Sequence, residues 1–346
     1  MEIGFKVVFL NKLFPLRISR GLRTGADNLF VSVSKDGITG WGEMSPGESE
    51  GAGTVQEGQS ALEAFAKNNL EGMSIYEMYD LGREQNVPPC AYAALDIALW
   101  DWLAKKAGLP LYQMLGTGLP TAPTSVTIGI NPPEVVKERV PLLLDGTGVK
   151  SLKIKLGSPE GIEADKAMFR QVVESTEPYD VKVRVDANGG WSVPDAIYMM
   201  KWLANLGVDY VEQPLVEGAE KDLPYIFKNR PLPIFVDESC RYAHNIPSYA
   251  HCVDGVNLKL MKSGGITEGL RVLSTAKAFG LKTMIGCMGE SSISIAAGAA
   301  LTGIIDHIDL DSHMNLNPDP CEGAPMIDGI IVPTNNPGHG GRFKES

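Results

Sequence analysis

Eight short β-like runs recur from residue 124 onward, at 126–130, 152–155, 181–186, 210–212, 234–237, 255–258, 282–285 and 308–309, each separated from the next by roughly 20 to 30 residues with helical stretches between them. A strand followed by a crossover long enough to hold a helix is a βα unit, and such units bury a parallel sheet. Eight of them close most naturally into a barrel. The alternative is an open doubly wound sheet, but no Gly-x-Gly-x-x-Gly follows the first strand to carry a dinucleotide.

The residues before these units have a different rhythm. Runs at 2–10, 28–34 and 38–43 are apolar or alternating, with β-branched and aromatic content, and Lys35-Asp36-Gly37 supplies a hairpin turn. That predicts an antiparallel sheet. Helical stretches follow, the clearest at 90–107, where Tyr92, Leu95, Ala98, Leu99, Trp102 and Leu103 recur at helical spacing before Gly108-Leu109-Pro110 ends the pattern. The predicted organisation is an α+β domain over 1–122 and a barrel over 123–321, with a boundary near 121–123.

Composition narrows the partners. The 346 residues are 44% apolar and 21% charged, an ordinary globular balance. The longest apolar run, 293–305, is interrupted by Ser294, Gly298, Thr302 and Gly303 and is too short to span a bilayer. The N-terminus lacks the pattern of a secretory signal, so the expected compartment is the cytosol. Five cysteines without any Cys-x-x-Cys pair argue for free thiols rather than disulfides or a cysteine-rich zinc site. A net charge of −11 repels nucleic acid and anionic membrane surfaces.

Ionisable residues fall at the ends of the barrel strands, and those C-terminal ends are where barrel enzymes build active sites. Asp186, Glu212 and Asp237 each end a run, 26 and 25 residues apart, one βα unit each. Consecutive strands are neighbours, so the three carboxylates share one wall. They repel one another unless a cation neutralises them, and an all-oxygen site with open positions suits Mg²⁺. On the second strand Lys153 and Lys155 share a face by period-two alternation, opposite to Leu152 and Ile154. Two ammonium groups crowd there, and like-charge repulsion lowers a lysine pKa toward the range a base needs. Lys259 ends the sixth strand, across the barrel diameter from the second. Facing lysines beside a metal wall suit proton abstraction from a carbon next to a carboxylate, with inversion of the stereocentre.

The chain resembles the enolase superfamily, in its muconate-lactonizing subgroup, and among these most closely the dipeptide epimerases. The resemblance spans essentially the full length. It is carried by 93–101 (Ala-Ala-Leu-Asp-Ile-Ala-Leu-Trp-Asp), 127–130 (Thr-Ile-Gly-Ile), Lys153-Ile154-Lys155, Asp186-Ala187-Asn188, Glu212-Gln213-Pro214, Asp237-Glu238-Ser239, 257–265 (Asn-Leu-Lys-Leu-Met-Lys-Ser-Gly-Gly) and Asp309-Leu310-Asp311. It implies a modified (β/α)₇β barrel under an α+β capping domain that includes the C-terminal tail, 322–346. It implies Mg²⁺ on Asp186, Glu212 and Asp237, and an acid/base pair of Lys155 and Lys259, with catalysis on Lys259 rather than Lys262. Lys153 would contact the substrate carboxylate, and Thr127 and Cys287 are further substrate-binding positions. Asp309 and Asp311, two residues apart after the eighth strand, can share one face and clamp a dipeptide's α-ammonium group.

The expected activity is a Mg²⁺-dependent epimerase inverting the α-carbon of a dipeptide's C-terminal residue by 1,1-proton transfer through an enediolate. A muconate-type cycloisomerase, an N-acyl amino acid racemase and a non-catalytic binding barrel are the alternatives. A homo-oligomer is left open. Gly21 and Gly25 bracket 20–24, which reads as a mobile loop over the site, where Arg20 or Arg23 would receive an acidic side chain or face solvent. Glu290 reads either as a pocket residue or as a helix-start acid.

Overall fold

The computed structural model describes residues 1–345. Strands β1 (Glu2–Ile18), β2 (Gly21–Lys35) and β3 (Ile38–Met44) form an antiparallel sheet in that order. Asp36 and Gly37, at φ of 55° and 74°, make the two-residue turn that the sequence predicts. The first hairpin reaches further than the sequence pattern suggests. Residues 21–24 are strand and not loop: Arg23 pairs with Leu16, Leu22 with Arg17 and Gly21 with Ile18, leaving only Ser19 and Arg20 at the tip. Gly25 marks close approach rather than mobility, because a Cβ there would lie 2.8 Å from the Phe9 ring.

Helices α1 (Val55–Phe65), α2 (Ile75–Glu84) and α3 (Pro89–Ala107) follow. The first two begin with capping boxes, Thr54 with Glu57 and Ser74 with Glu77. Helix α3 is buried almost all round, and Gly42 of β3 backs directly onto the Ala94 carbonyl, a contact that any side chain at 42 would block.

The second part is an eight-stranded parallel sheet in sequence order: β4 (Val126–Ile128), β5 (Ser151–Lys155), β6 (Lys182–Asp186), β7 (Val211–Glu212), β8 (Ile234–Val236), β9 (Gly255–Lys259), β10 (Lys282–Gly286) and β11 (His307–Ile308). Its ends meet where Thr124 bridges Ile308 and the Ser125 amide donates to the Ile308 carbonyl at 2.9 Å. The architecture is therefore a barrel and not an open sheet. Among the described residues no helix is long and apolar enough to cross a membrane.

Two buried acids fasten the first part to barrel helices. Asp96 of α3 accepts from the Thr267 amide at 3.0 Å and from its hydroxyl, at the start of the helix Ile266–Ala278. Glu43 of β3 accepts from the Ser291 amide and hydroxyl at 2.9 and 2.6 Å, at the start of the helix Ser292–Ala299. Each acid sits at the positive end of a helix dipole. Desolvation outweighs these hydrogen bonds and pushes both carboxyls up to about 7. The tail returns to the N-terminal sheet: Cys321–Glu322 pairs with Arg342–Phe343, and Phe343 packs against Phe30 and Trp41 at ring separations of 4.9 and 5.2 Å.

Candidate active site

Asp186 and Glu212 end adjacent strands and sit opposite one another in register, while Asp237 directly follows β8. One carboxylate oxygen of each lies within 4.8 Å of the others, and all three side chains are buried. Their orientation comes from amides that the quoted sequence motifs contain but to which sequence reasoning gives no role. Asn188 donates to Asp186 through its backbone N and Nδ2 at 2.8 and 3.1 Å. Asn257 Nδ2 donates to Glu212 Oε1 at 2.7 Å, and Gln213 Oε1 accepts from the Asp237 amide at 2.8 Å. Asn188 and Gln213 hold left-handed backbone, at φ of 44° and 37°. Such strain persists only where the surroundings over-determine it.

Four lysines meet this wall. Lys155 Nζ is 2.6 Å from Asp186 Oδ2 and Lys259 Nζ is 2.6 Å from Asp237 Oδ2. Lys262 Nζ binds Asp237 Oδ1 at 2.7 Å and the Asn257 carbonyl at 2.6 Å, so it anchors a wall carboxylate instead of facing the cavity. Lys153 Nζ is 2.6 Å from both Glu212 Oε2 and Asp309 Oδ2. Lysine crowding on β5 does not lower the Lys153 pKa. Burial opposes its charge, but Asp309, Glu212 and Asp186 outweigh burial and hold the ammonium well above its ordinary value.

The three wall carboxylates fit a divalent cation. Glu212 is fully buried, and desolvation together with the Asp186 charge pushes its carboxyl up to about 8. The Lys153 contact with Glu212 Oε2 is close, yet it lacks the geometry of a hydrogen bond and leaves that oxygen without one. An all-oxygen set of this kind is the donor chemistry of Mg²⁺.

Asp309 and Asp311 follow β11. Asp311 Oδ2 accepts from the Thr127 amide at 2.7 Å, and Cys287 Sγ donates to the Asp309 carbonyl at 3.3 Å. Among the described residues Asp309 Oδ1 is buried without a hydrogen-bond partner. Burial and the Asp309 charge push the Asp311 carboxyl up to about 6. Glu290 is buried just ahead of the helix Ser292–Ala299, and its Oε1 accepts from the Met288 amide at 2.6 Å.

Two cavities lie beneath the β1–β2 hairpin. The larger, about 410 Å³, holds Thr127, Asp309 and Asp311 among Leu13, Phe14, Leu142 and Met314. The smaller, about 220 Å³, holds Lys259, Asn188 and the hairpin residues Ile18, Leu22 and Arg23. Lys155 and Cys287 border both. Arg20 also borders the smaller cavity, but its guanidinium is engaged: it is 2.7 Å from Glu238 Oε1 and donates to the Asn188 carbonyl at 3.0 Å. It fastens the hairpin to loops that directly follow two wall acids.

Comparison with known proteins places this geometry. Residues 3–116 match the mandelate racemase/muconate lactonizing enzyme N-terminal domain, and residues 136–346 match the enolase C-terminal domain-like family. The chain is 66% identical over 345 residues to a hydrophobic dipeptide epimerase of Flavobacteria bacterium MS024-2A, covering 100% of this chain and 99% of that protein. It is 59% identical to a hydrophobic dipeptide epimerase of Roseobacter litoralis, covering 99% and 98%. The crystal structure of a dipeptide epimerase from Enterococcus faecalis V583, complexed with Mg and the dipeptide L-Leu-L-Tyr, is similar at a TM-score of 0.91 and 31% identity, covering 98% of each chain.

Proposed function

This chain belongs to the mandelate racemase/muconate lactonizing enzyme family of the enolase superfamily, and from that premise we propose that it is a Mg²⁺-dependent dipeptide epimerase inverting the α-carbon of the C-terminal residue. The observation that carries the choice of substrate is the unpartnered Asp309 Oδ1 beside Asp311, an anionic end to a cavity whose other side holds Lys155. An α-ammonium group supplies the charge and donors that this end lacks. Muconates and N-acyl amino acids have no such cation. The racemase and cycloisomerase alternatives lose their appeal for that reason.

Asp186, Glu212 and Asp237 are the residues to hold Mg²⁺, which when bound stabilises the substrate carboxylate as the neighbouring carbon loses its proton. Lys153 lies beside that carboxylate position. Lys155 ends β5 and Lys259 ends β9, four strands apart around an eight-strand barrel, so their Nζ atoms approach a substrate from opposite sides. One lysine, unprotonated, removes the α-proton. The other, protonated, returns one to the opposite face, and the configuration inverts. Thr127 and Cys287 shape the amino-terminal end through their contacts with Asp311 and Asp309.

The larger cavity takes the residue that bears the ammonium group, and its Leu13, Phe14, Leu142 and Met314 favour an apolar side chain there. The two relatives at 66% and 59% identity are hydrophobic dipeptide epimerases, in keeping with this preference. Five unpaired cysteines fit a reducing compartment such as the cytosol. The test is a dipeptide library incubated in D₂O and read by mass spectrometry. Free dipeptides with apolar N-terminal residues should gain one deuterium on turnover. No exchange into any dipeptide, or equal exchange into N-acetylated ones, overturns the reading.

A further inference from the structure

Lys12 of β1 borders both cavities, together with Leu16, Lys155, Cys287 and Met288, and these five residues form the waist between the two. Only two of their side chains carry N–H donors. Lys155 is engaged by Asp186 at 2.6 Å. Among the described residues Lys12 has no ion pair and no side-chain hydrogen bond, although its stem is partly buried and its backbone is held by a bridge to Leu316. Its Nζ hangs over the β10 loop, where a Cβ on Gly289 would lie 3.7 Å from it. An ammonium group turned into a cavity waist without an ion pair or hydrogen bond is costly, since burial outweighs the attraction of nearby Asp311.

A dipeptide bound as proposed above has its carboxylate on the metal wall and its ammonium group on Asp309 and Asp311. Its α-carbon lies between Lys155 and Lys259. Its peptide unit must then cross the waist, because it joins the residue in one cavity to the residue in the other. The peptide carbonyl is the strongest acceptor of the substrate that this arrangement leaves unmet, and a buried carbonyl without a donor is destabilising.

We propose that Lys12 is a substrate-binding residue whose ammonium group donates to the dipeptide's peptide carbonyl at the waist between the two cavities. The assignment rests on the dipeptide reading and deepens it. It also explains a cation placed near Asp311 on the side where the substrate carries positive charge: the carbonyl, and not the α-ammonium group, is its partner. Lys12 thereby measures the distance from the reacting carbon to the carbonyl, which favours an α-peptide over a longer spacer.

The test compares wild type with Lys12→Met and Lys12→Gln, using L-Ala-L-Leu and its thioamide analogue, in which sulfur replaces the peptide oxygen and accepts hydrogen bonds poorly. Lys12→Met should raise KM roughly ten- to hundredfold, the loss of a charge-assisted hydrogen bond, while kcat falls by less. Lys12→Gln, which still donates, should fall between. The wild type should pay for thionation in KM, and Lys12→Met should show almost no further penalty. A purely structural lysine would leave the thionation penalty intact in the variant. KM unchanged in Lys12→Met, or an equal thionation penalty in both proteins, overturns the proposal alone. Absence of α-proton exchange from any dipeptide in the wild type overturns the dipeptide reading, and this assignment with it.

Discussion

Lys153 Nζ holds Asp309 Oδ2 at 2.6 Å, so a lysine beside the three wall carboxylates is bonded to one of the two acids proposed to receive the substrate's amino end. Only the unpartnered Oδ1 of Asp309 is therefore left free for the ammonium group of the proposed substrate. Asp311 makes no hydrogen bond to the wall: its side chain accepts from the Thr127 amide and, distantly, from Cys287.

This asymmetry separates two variants. Asp311→Asn should raise KM for free dipeptides roughly ten- to hundredfold and leave kcat nearly unchanged, because it removes ammonium binding only. Asp309→Asn should raise KM and lower kcat together, because it also releases Lys153 from its place beside Glu212. Steady-state kinetics on one apolar dipeptide checks both. Equal kinetic signatures in the two variants would show that the Lys153 link has no consequence.

Metal removal tests the opposite wall. Three buried carboxylates within 4.8 Å of one another destabilise a protein whose cation has been withdrawn. EDTA should abolish α-proton exchange and lower the melting temperature, and Mg²⁺ should restore both. Asp186→Asn should blunt the Mg²⁺-dependent rise in melting temperature. A melting temperature indifferent to Mg²⁺ in the wild type argues against a site at these acids.

The two lysines can be told apart by handedness. Replacing Lys155 or Lys259 with Ala should stop epimerisation, yet each variant should still exchange the α-proton of one enantiomer with D₂O through the lysine that remains. The two variants should select opposite enantiomers. NMR of L,L and L,D dipeptides incubated with each variant reads this directly, and wild-type turnover in either one would refute the pairing.

The chemistry was legible in the sequence to the extent that it lies on strands. Asp186, Glu212, Lys155 and Lys259 end parallel strands, where one repeating geometry turns spacing into position, and Asp237 follows its strand at once. What was not legible depends on contacts between distant segments. Arg20 lies 218 positions from Glu238, and nothing local to the hairpin announces that pair. The pairing of 21–23 with β1 was hidden because glycines and arginines read as loop until the partner strand is known. The four-lysine balance around the wall was likewise invisible, since like charges adjacent in sequence hide the acids that face them across the barrel.

Arg20 is therefore expected to act on closure and not on charge recognition. Arg20→Ala removes its bonds to Glu238 and the Asn188 carbonyl, leaving Ser19 Oγ, which donates to the same carbonyl at 2.8 Å, to hold the tip. Chymotrypsin cleavage after Leu22 should quicken in the variant. Preference among acidic and neutral C-terminal residues should stay unchanged, whereas an Arg20 that binds substrate acids would lose it.

Asp96 offers a pH test far from the chemistry. Its carboxyl is buried against the first turn of the helix Ile266–Ala278, and desolvation raises it from an ordinary value near 3.8 to about 7. An acid whose pKa is higher folded than unfolded contributes stability that is fully present below the unfolded value and is lost as pH rises through the folded one. Between those limits each pH unit removes about 1.4 kcal/mol. Asp96→Asn cannot ionise, and it keeps one acceptor for Thr267. The variant should therefore be less stable than wild type near pH 5, where Asp96 is largely neutral and fully bonded. The gap should narrow by pH 8, where the wild type bears a buried charge. Urea unfolding of both proteins at the two pH values measures it. A gap that widens instead would mean that the helix N-terminus and Thr267 stabilise the ionised form more than burial opposes it.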